Sequence, residues 1–137
     1  MNAMLSNGVL PIINENDTVS VEELMFTDND ELSGLVARMM NADVLVILSN
    51  VDGVYSGSPD SPDSRLIPEI SQSDDFTQCI DSVKSAQGRG GMATKMKTAM
   101  EVARDGIPVI IANGKKHDIL TDVILNPETC RFTKFLP

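Results

Sequence analysis

The run Asp43-Val44-Leu45-Val46-Ile47-Leu48 decides the fold class of this chain. After its first residue the run is apolar without interruption and rich in β-branched side chains. Runs of this kind are typical of parallel strands covered on both faces, whereas half-exposed strands alternate apolar and polar residues. Residues 9–13 and 107–112 have the same character. The sequence therefore predicts buried parallel strands at these three places.

Helical patterns separate these strands. In residues 30–40 apolar side chains recur at helical spacing, and Asn29 or Asp28 is a candidate N-cap. A second stripe ends at Gly106 and Pro108 and consists of Met92, Met96, Ala99, Met100 and Ala103. We expect the methionines of this stripe to pack in the core rather than to form a binding groove. A weaker helix is predicted for residues 74–83.

Alternating strands and helices predict a layered α/β/α fold with a mostly parallel sheet. The chain has 137 residues, which is enough for one domain. In such sheets ligands bind at the carboxyl ends of the strands. Polar residues follow the predicted strands there, namely residues 14–17, Ser49 with Asn50, and Asn113 with Gly114. Residues 56–64 are rich in serine and proline and are predicted to form an exposed, turn-rich excursion.

Composition excludes several classes of protein. The net charge of -9 and the pI near 4.4 argue against nucleic acid or an anionic membrane as a partner, because both require clustered basic residues. The sequence has no apolar run of about 18 residues and no signal-peptide pattern, which predicts a cytoplasmic protein. Cys79 and Cys130 are expected to be reduced thiols. His117 is the only histidine, which excludes a multi-histidine metal site.

A glycine-rich segment, Gly88-Arg89-Gly90-Gly91-Met92-Ala93-Thr94-Lys95, opens the second helix. Glycines let backbone N–H groups approach an anion, and the first helical turn adds unsatisfied donors and a positive dipole end. Thr94 and Lys95 add a hydroxyl and an ammonium group. The spacing is not that of a Walker A loop. The segment therefore indicates either a phosphate site or a flexible loop that caps a helix.

Two clusters of acidic and amide side chains accompany the glycine segment. They are Asn14-Glu15-Asn16-Asp17 and Thr27-Asp28-Asn29-Asp30. Together they offer donors and acceptors that suit a zwitterionic amino acid or a metal-bound phosphate. The same residue types also form ordinary turns and helix caps, so both interpretations stay open at this point.

Four pieces of the chain, taken in order, resemble the glutamate 5-kinases, a branch of the amino acid kinase family. They are residues 11–17, residues 28–30, the segment Leu48-Ser49-Asn50-Val51-Asp52-Gly53-Val54-Tyr55, and residues 88–95. The resemblance covers essentially the whole sequence. The glycine-glycine-methionine segment is shared by several kinases of that family. The cluster Ile13-Asn14-Glu15-Asn16-Asp17, followed by Asp28-Asn29-Asp30, is what points to the branch that acts on glutamate.

The resemblance implies a function: the phosphorylation of the γ-carboxylate of L-glutamate by ATP with Mg²⁺, which is the first step of proline synthesis. It implies that Asp17 and Asn29 bind glutamate and that Asn16 and Asp28 line the same pocket. Asp30 would organise the lysines that contact phosphate, and Lys95 would stabilise charge on the transferred group. The implied nucleotide contacts are Ser49, Asn50, Arg89, Gly90, Gly91, Met92, Ala93, Thr94 and Lys95. A carboxylate nucleophile is already ionised at neutral pH, so no general base is required.

The resemblance also implies that residues 1–137 form a single partial kinase domain, the carboxyl-terminal, nucleotide-binding half. In the family an amino-terminal half with a lysine-glycine-serine phosphate motif precedes it. Ser49-Asn50 stands where a threonine-aspartate pair is common, and Arg89 stands where threonine is frequent. No accessory domain of the RNA-modification type is expected after residue 137. A sheet divided in this way exposes a strand edge, so we expect a homo-oligomer or a complementing amino-terminal half.

Two alternatives remain beside the glutamate kinase. In one, the chain is a binding module that holds ADP or ATP and catalyses nothing. In the other, it is a related kinase with a different small acid or a nucleoside monophosphate as substrate. The cluster of residues 14–17 argues against the second alternative.

Overall fold

The computed structural model describes residues 1–14, 29–72 and 91–137. The helices are α1 (Asn2–Ser6), α2 (Asn29–Met40), α3 (Gly91–Arg104) and α4 (Ile119–Leu125), with a 3₁₀ turn at Pro127–Thr129. The strands are β1 (Leu45–Ser49), β2 (Glu69–Ile70), β3 (Val109–Asn113) and β4 (Phe132–Phe135). Helices α2 and α3 and strands β1 and β3 confirm the predicted elements, with ends shifted by one or two residues.

The described strands form one mixed sheet in the order β1-β3-β4-β2. Strands β1 and β3 are parallel, with Leu45 opposite Val109 and Ser49 opposite Asn113. Strand β4 is antiparallel to β3 and parallel to β2. The sheet is therefore mostly parallel, as predicted. The parallel pairing brings the carboxyl ends of β1 and β3 to the same end of the sheet.

Helices cover both faces of the sheet. The side chains of β3 alternate between two cores, because successive residues of a strand point to opposite faces. Val109 and Ile111 belong to the larger core, which also contains the apolar faces of α2 and α3. Ile110 and Ala112 pack on the other side with α4. This arrangement confirms the three-layered α/β/α fold.

The packing of α2 on α3 positions the polar residues at their first turns. Gly34 of α2 is buried, and a Cβ there would lie 2.8 Å from Thr98 Cγ2 of α3. Met96, Ala99 and Val102 of α3 are fully buried at this interface and against the sheet. The methionine stripe is thus core packing, as expected.

The strand predicted for residues 9–13 is wrong. These residues form no regular element, and Leu10 and Ile12 are 81% and 94% exposed. An extended segment becomes a strand only when a neighbour supplies ladder hydrogen bonds, and none of the described strands pairs with it. The helix predicted for residues 74–83 lies outside the described residues.

Candidate functional site

A polar pocket of about 450 Å³ lies at the carboxyl end of β1. Three segments form it: residues 49–51 at the end of the strand, residues 58–60 of the turn-rich excursion, and the first turns of α3. Its lining is Ser49, Asn50, Val51, Ser58, Pro59, Asp60, Gly91, Met92 and Lys95. The pocket therefore lies where open α/β sheets bind ligands.

Helix α3 begins at Gly91, on the wall of this pocket. The first turn of a helix leaves backbone N–H groups without intrahelical partners, and the aligned peptide dipoles add partial positive charge at this end. A Cβ at Gly91 would meet no atom of the described residues within 4 Å, which leaves room for a ligand beside the backbone here. Together with Lys95, one turn further on, this wall suits an anionic group such as phosphate.

Lys95 and Asp30 form an ion pair beside the pocket. The Lys95 Nζ atom lies 2.6 Å from Asp30 Oδ2, and the two side chains are only 20% and 12% exposed. The contact joins the first turn of α2 to α3. The two helices come close enough for it because they pack tightly at Gly34 of α2. A charge-assisted hydrogen bond of this length restricts the ammonium to one place.

The end of β1 and the loop after it form another wall of the pocket. The Gly114 N–H donates to the Ser49 carbonyl at a distance of 2.8 Å, and this hydrogen bond connects the loop to the one that follows β3. The Ser49 hydroxyl lies 3.5 Å from Asn50 Oδ1. The two side chains therefore stand next to each other at the pocket.

Several predicted site residues lie together and others do not. Ser49, Asn50, Gly91, Met92 and Lys95 line one pocket, and Asp30 holds Lys95. Ala93 and Thr94 follow in α3 but are not part of that lining. Predicted residues that lie outside the described residues are Asn16, Asp17, Asp28, Arg89 and Gly90.

Asn29 lies at a different cavity. This second cavity has a volume of about 420 Å³ and is mainly apolar. Its polar lining residues are Asn14, Asn29 and Ser33, and Leu32, Val36 and Leu45 are among the apolar residues that line the rest. The cavity lies along α2 and the beginning of β1, next to the open edge of the described sheet.

The turn-rich excursion contributes residues that the sequence interpretation missed. The sequence predicts an exposed, turn-rich excursion at residues 56–64 and assigns it no role in the site, whereas Ser58, Pro59 and Asp60 line the pocket. A bridge between Tyr55 and Leu66 closes the excursion at its base, and the Ser56 N–H donates to the Arg65 carbonyl. A polar Ser-Pro-Asp sequence so soon after a strand end was the available signal.

A second missed group surrounds Asp52. Its Oδ1 accepts hydrogen bonds from Asn113 Nδ2 at 3.0 Å and from Lys116 Nζ at 2.8 Å, and Arg131 Nε lies 4.0 Å from Oδ2. Partial burial on its own raises the pKa of the Asp52 carboxyl. The hydrogen bonds from Lys116 and Asn113, with the charges of Lys116 and Arg131, outweigh burial and hold the pKa below its usual value.

The described residues contain no group of three or more His, Cys, Asp or Glu side chains that could form a metal cage. Mg²⁺ does not require one, since it commonly binds one or two carboxylates together with the phosphates of a substrate. Asp60 brings a carboxylate to the pocket. Within the same parts of the chain, no helix is long and apolar enough to cross a membrane.

The chain matches a known sequence family. The model of the amino acid kinase family matches residues 1–113. The chain is similar to the glutamate 5-kinase of Bacteroides thetaiotaomicron, with 57% identity over 137 residues, which are all of this chain and 38% of that protein. It is 43% identical to the glutamate 5-kinase of Trichlorobacter lovleyi over 139 residues, or 36% of that protein. The chain thus spans little more than a third of the length of these curated relatives.

Solved structures agree on the fold. A carbamate kinase from Giardia lamblia bound to AMP-PNP matches with a TM-score of 0.57 and 25% identity, over 80% of this chain and 35% of that one. A UMP kinase from Ureaplasma parvum matches with a TM-score of 0.56 and 18% identity, over 82% of this chain and 43% of that one. The second likeness concerns the fold alone.

Proposed function

The chain belongs to the amino acid kinase family, and from this premise we propose that it is the nucleotide-binding part of an enzyme that phosphorylates L-glutamate. The reaction transfers the γ-phosphoryl group of ATP to the γ-carboxylate and gives γ-glutamyl phosphate, the first step of proline synthesis. The observation that carries this proposal is Lys95, held by Asp30 at 2.6 Å on the wall of a polar pocket. The glutamate 5-kinase name of the similar proteins supports the choice of substrate.

The pocket is assigned to ATP. Its position at the carboxyl end of β1 and the start of α3 supports phosphate binding, and a similar carbamate kinase was solved with AMP-PNP. Ser49, Asn50, Gly91 and Met92 would contact the nucleotide. Arg89, Gly90, Ala93 and Thr94 complete the proposed phosphate segment on the strength of the sequence motif. Asp60 would accompany a Mg²⁺ ion, which supplies positive charge against the phosphate oxygens.

Lys95 and Asp30 would serve the transfer step itself. Phosphoryl transfer depends mostly on alignment and charge neutralisation, because little covalent chemistry falls to the protein. The ammonium of Lys95 would neutralise charge on the group in transfer. Asp30 would keep that ammonium in place, since the side chains lie in hydrogen-bond contact and are largely buried. The glutamate carboxylate attacks without a general base.

The glutamate site is assigned to the two clusters of amide and acidic residues. Asp17 and Asn29 would bind the amino acid, and Asn16 and Asp28 would line the same pocket. Asn29 immediately precedes Asp30 in the first turn of α2, which supports a glutamate position close to the ion pair. This enzyme would work in the cytoplasm, where ATP and glutamate are available.

The rest of a kinase domain, or a second copy of this chain, would complete the enzyme. The chain spans 38% of the length of a similar glutamate 5-kinase. In the described sheet β1 pairs on one side, with β3, and an apolar cavity lies beside it. The proposed partner is the remaining part of a kinase domain or a second copy of this chain, either of which would cover that edge.

The test is glutamate-dependent release of ADP from Mg-ATP. The chain is assayed alone and after co-expression with those kinase-domain residues of the Bacteroides thetaiotaomicron protein that it does not match. Lys95→Met should lower the rate about 100-fold or more and change nucleotide affinity only modestly. Lys97→Met is the matched control, because Lys97 lies on the same helix and is paired with Glu31 at 3.5 Å. A glutamate-dependent rate that Lys95→Met leaves unchanged would contradict the proposal.

A second candidate function is a nucleotide-binding module without catalysis. The observation in its favour is that the pocket is formed within a chain that covers only 38% of a similar enzyme. The same experiment separates the two candidates. Tight ADP binding that depends strongly on Lys95, with no glutamate-dependent turnover in the complemented sample, would favour the module.

A further inference from the structure

We propose that Asp52 is a positioning residue that holds the nucleotide-facing wall of the pocket in shape. The inference rests on the proposed function, because the wall it holds, residues 49–51, is assigned there to ATP. Asp52 itself is not part of the pocket lining. It would act through the loop that carries Ser49 and Asn50.

The wall needs support because its backbone is irregular. Strand β1 ends at Ser49, and residues 50–53 are a series of bends without helix or strand. Irregular segments lack the repeated ladder that fixes a strand, so their shape depends on individual contacts. Residues of such a segment lose conformational freedom when a ligand orders them, and this loss weakens binding.

Contacts at both ends and in the middle fix this segment. At its start the Gly114 N–H donates to the Ser49 carbonyl at 2.8 Å. At its end the Val54 N–H donates to Thr133 Oγ1, also at 2.8 Å. Between them the Asp52 carboxylate accepts from Asn113 Nδ2 at 3.0 Å and from Lys116 Nζ at 2.8 Å. Asp52 is thus the side chain that fixes the middle of the segment.

The Asp52 contacts form a partly buried anchor. Its side chain is 15% exposed, and the groups around it are cationic or hydrogen-bond donors. Asn113 is the last residue of β3, and its Oδ1 accepts from the Lys115 N–H at 3.1 Å. Asp52 therefore connects the wall to a strand end and to the turn that carries Lys116. Holding a binding wall in its bound shape strengthens affinity without a direct ligand contact.

The test uses Asp52→Asn, Lys116→Gln and the double variant, with Asp63→Asn as matched control. Asp63 is an exposed aspartate of the neighbouring excursion and does not line the pocket. Affinity for Mg-ADP is measured by titration, and backbone hydrogen exchange is measured over residues 49–54. We expect Asp52→Asn to weaken Mg-ADP binding about fivefold to tenfold and the double variant to be no weaker than Asp52→Asn alone, as for two groups that act through one contact. Exchange over residues 49–54 should rise in all three variants and stay unchanged in the control.

Three results would overturn the inference. Unchanged exchange and affinity in Asp52→Asn would show that the anchor does not hold the wall. Additive losses, with Lys116→Gln the more severe, would show that Lys116 acts on the nucleotide directly. Faster exchange in Asp52→Asn, together with no Mg-ADP binding by the unaltered chain, would leave Asp52 a purely structural role and contradict the proposed function itself.

Discussion

The Lys95 ammonium group lies 2.6 Å from the Asp30 carboxylate, across 65 positions of sequence. The contact is possible because α2 and α3 pack closely where Gly34 has no side chain. Removing one partner of a largely buried ion pair strongly destabilises the folded protein, because the other charge stays buried without a partner. The pair therefore stabilises the α2–α3 contact and also fixes the position of the Lys95 charge.

Replacing Asp30 should expose this double role. Asp30→Asn is expected to lower the free energy of unfolding by about 1–3 kcal/mol, since the pair is largely but not completely buried. Urea denaturation measures the loss. Glu31→Gln is the matched control, because the Glu31 and Lys97 pair is more exposed and 3.5 Å long, and its loss should cost no more than about 0.5 kcal/mol. Equal losses in the two variants would contradict the account of the Asp30 pair.

Thr133 anchors the end of the pocket wall to the sheet. It is fully buried on β4, its Oγ1 accepts from the Val54 N–H at 2.8 Å, and it donates to the Ile67 carbonyl at 2.6 Å. Thr133→Val keeps the shape but leaves both backbone groups unpaired, which should cost about 2–4 kcal/mol. Thr133→Ser keeps the hydroxyl and should cost about 1 kcal/mol for the lost methyl group. If the valine variant were as stable as the serine variant in thermal and urea unfolding, these hydrogen bonds would not stabilise the fold.

Gly34 sets the distance between α2 and α3. A Cβ would lie 2.8 Å from Thr98 Cγ2 and 3.1 Å from Val102 Cγ2, so alanine must displace buried side chains. Alanine favours a helix by about 1 kcal/mol over glycine, but the crowding should exceed this and destabilise the protein by about 1–3 kcal/mol in total. Met39→Ala, at an exposed position of the same helix, should change stability by less than about 0.5 kcal/mol. A Gly34→Ala protein more stable than the parent would show that the helices separate freely.

Asp52 should make stability depend on pH in acid. Its pKa in the folded protein lies below the ordinary value of 3.8, so the ionised carboxylate favours folding. This contribution is present above the unfolded pKa and is lost as the pH falls through the folded pKa. Parent and Asp52→Asn proteins should therefore differ most in urea stability near pH 7 and differ least near pH 2. A difference that stays constant over this range would contradict the charge-based role of Asp52.

Much of the fold follows from patterns within single segments. Strands β1 and β3 are continuous apolar runs, and helices α2 and α3 have clear apolar stripes, so local sequence identifies them. Strand β4 has no continuous apolar run by which the sequence could identify it, because only alternate residues are buried and the charged Lys134 lies between two of them. Strand β2 has two residues and exists through its pairing with β4. Residues 9–13 show the converse case, in which an apolar run lacks a strand partner among the described residues.

Some residues of the candidate site can likewise be predicted from local sequence, and others cannot. Ser49, Asn50 and Lys95 were predicted from strand ends, the glycine segment and the family resemblance, and they do line one pocket. Asp60 was missed because the excursion reaches the pocket only after Tyr55 and Leu66 close it. Asp52 was missed because its partners come from β3 and the following turn, 61 positions away in the case of Asn113. Contacts over such sequence distances have no local signature.

Detection of the reaction product tests the proposed phosphorylation of glutamate most directly. An acyl phosphate reacts with hydroxylamine to give a hydroxamate, so the assay combines the complemented chain, Mg-ATP, L-glutamate and hydroxylamine and identifies γ-glutamyl hydroxamate by mass. We expect hydroxamate in amounts equal to the ADP released, with both lost in Lys95→Met and retained in Lys97→Met. ADP release without hydroxamate, or hydroxamate formation that survives Lys95→Met, would contradict the proposed phosphorylation.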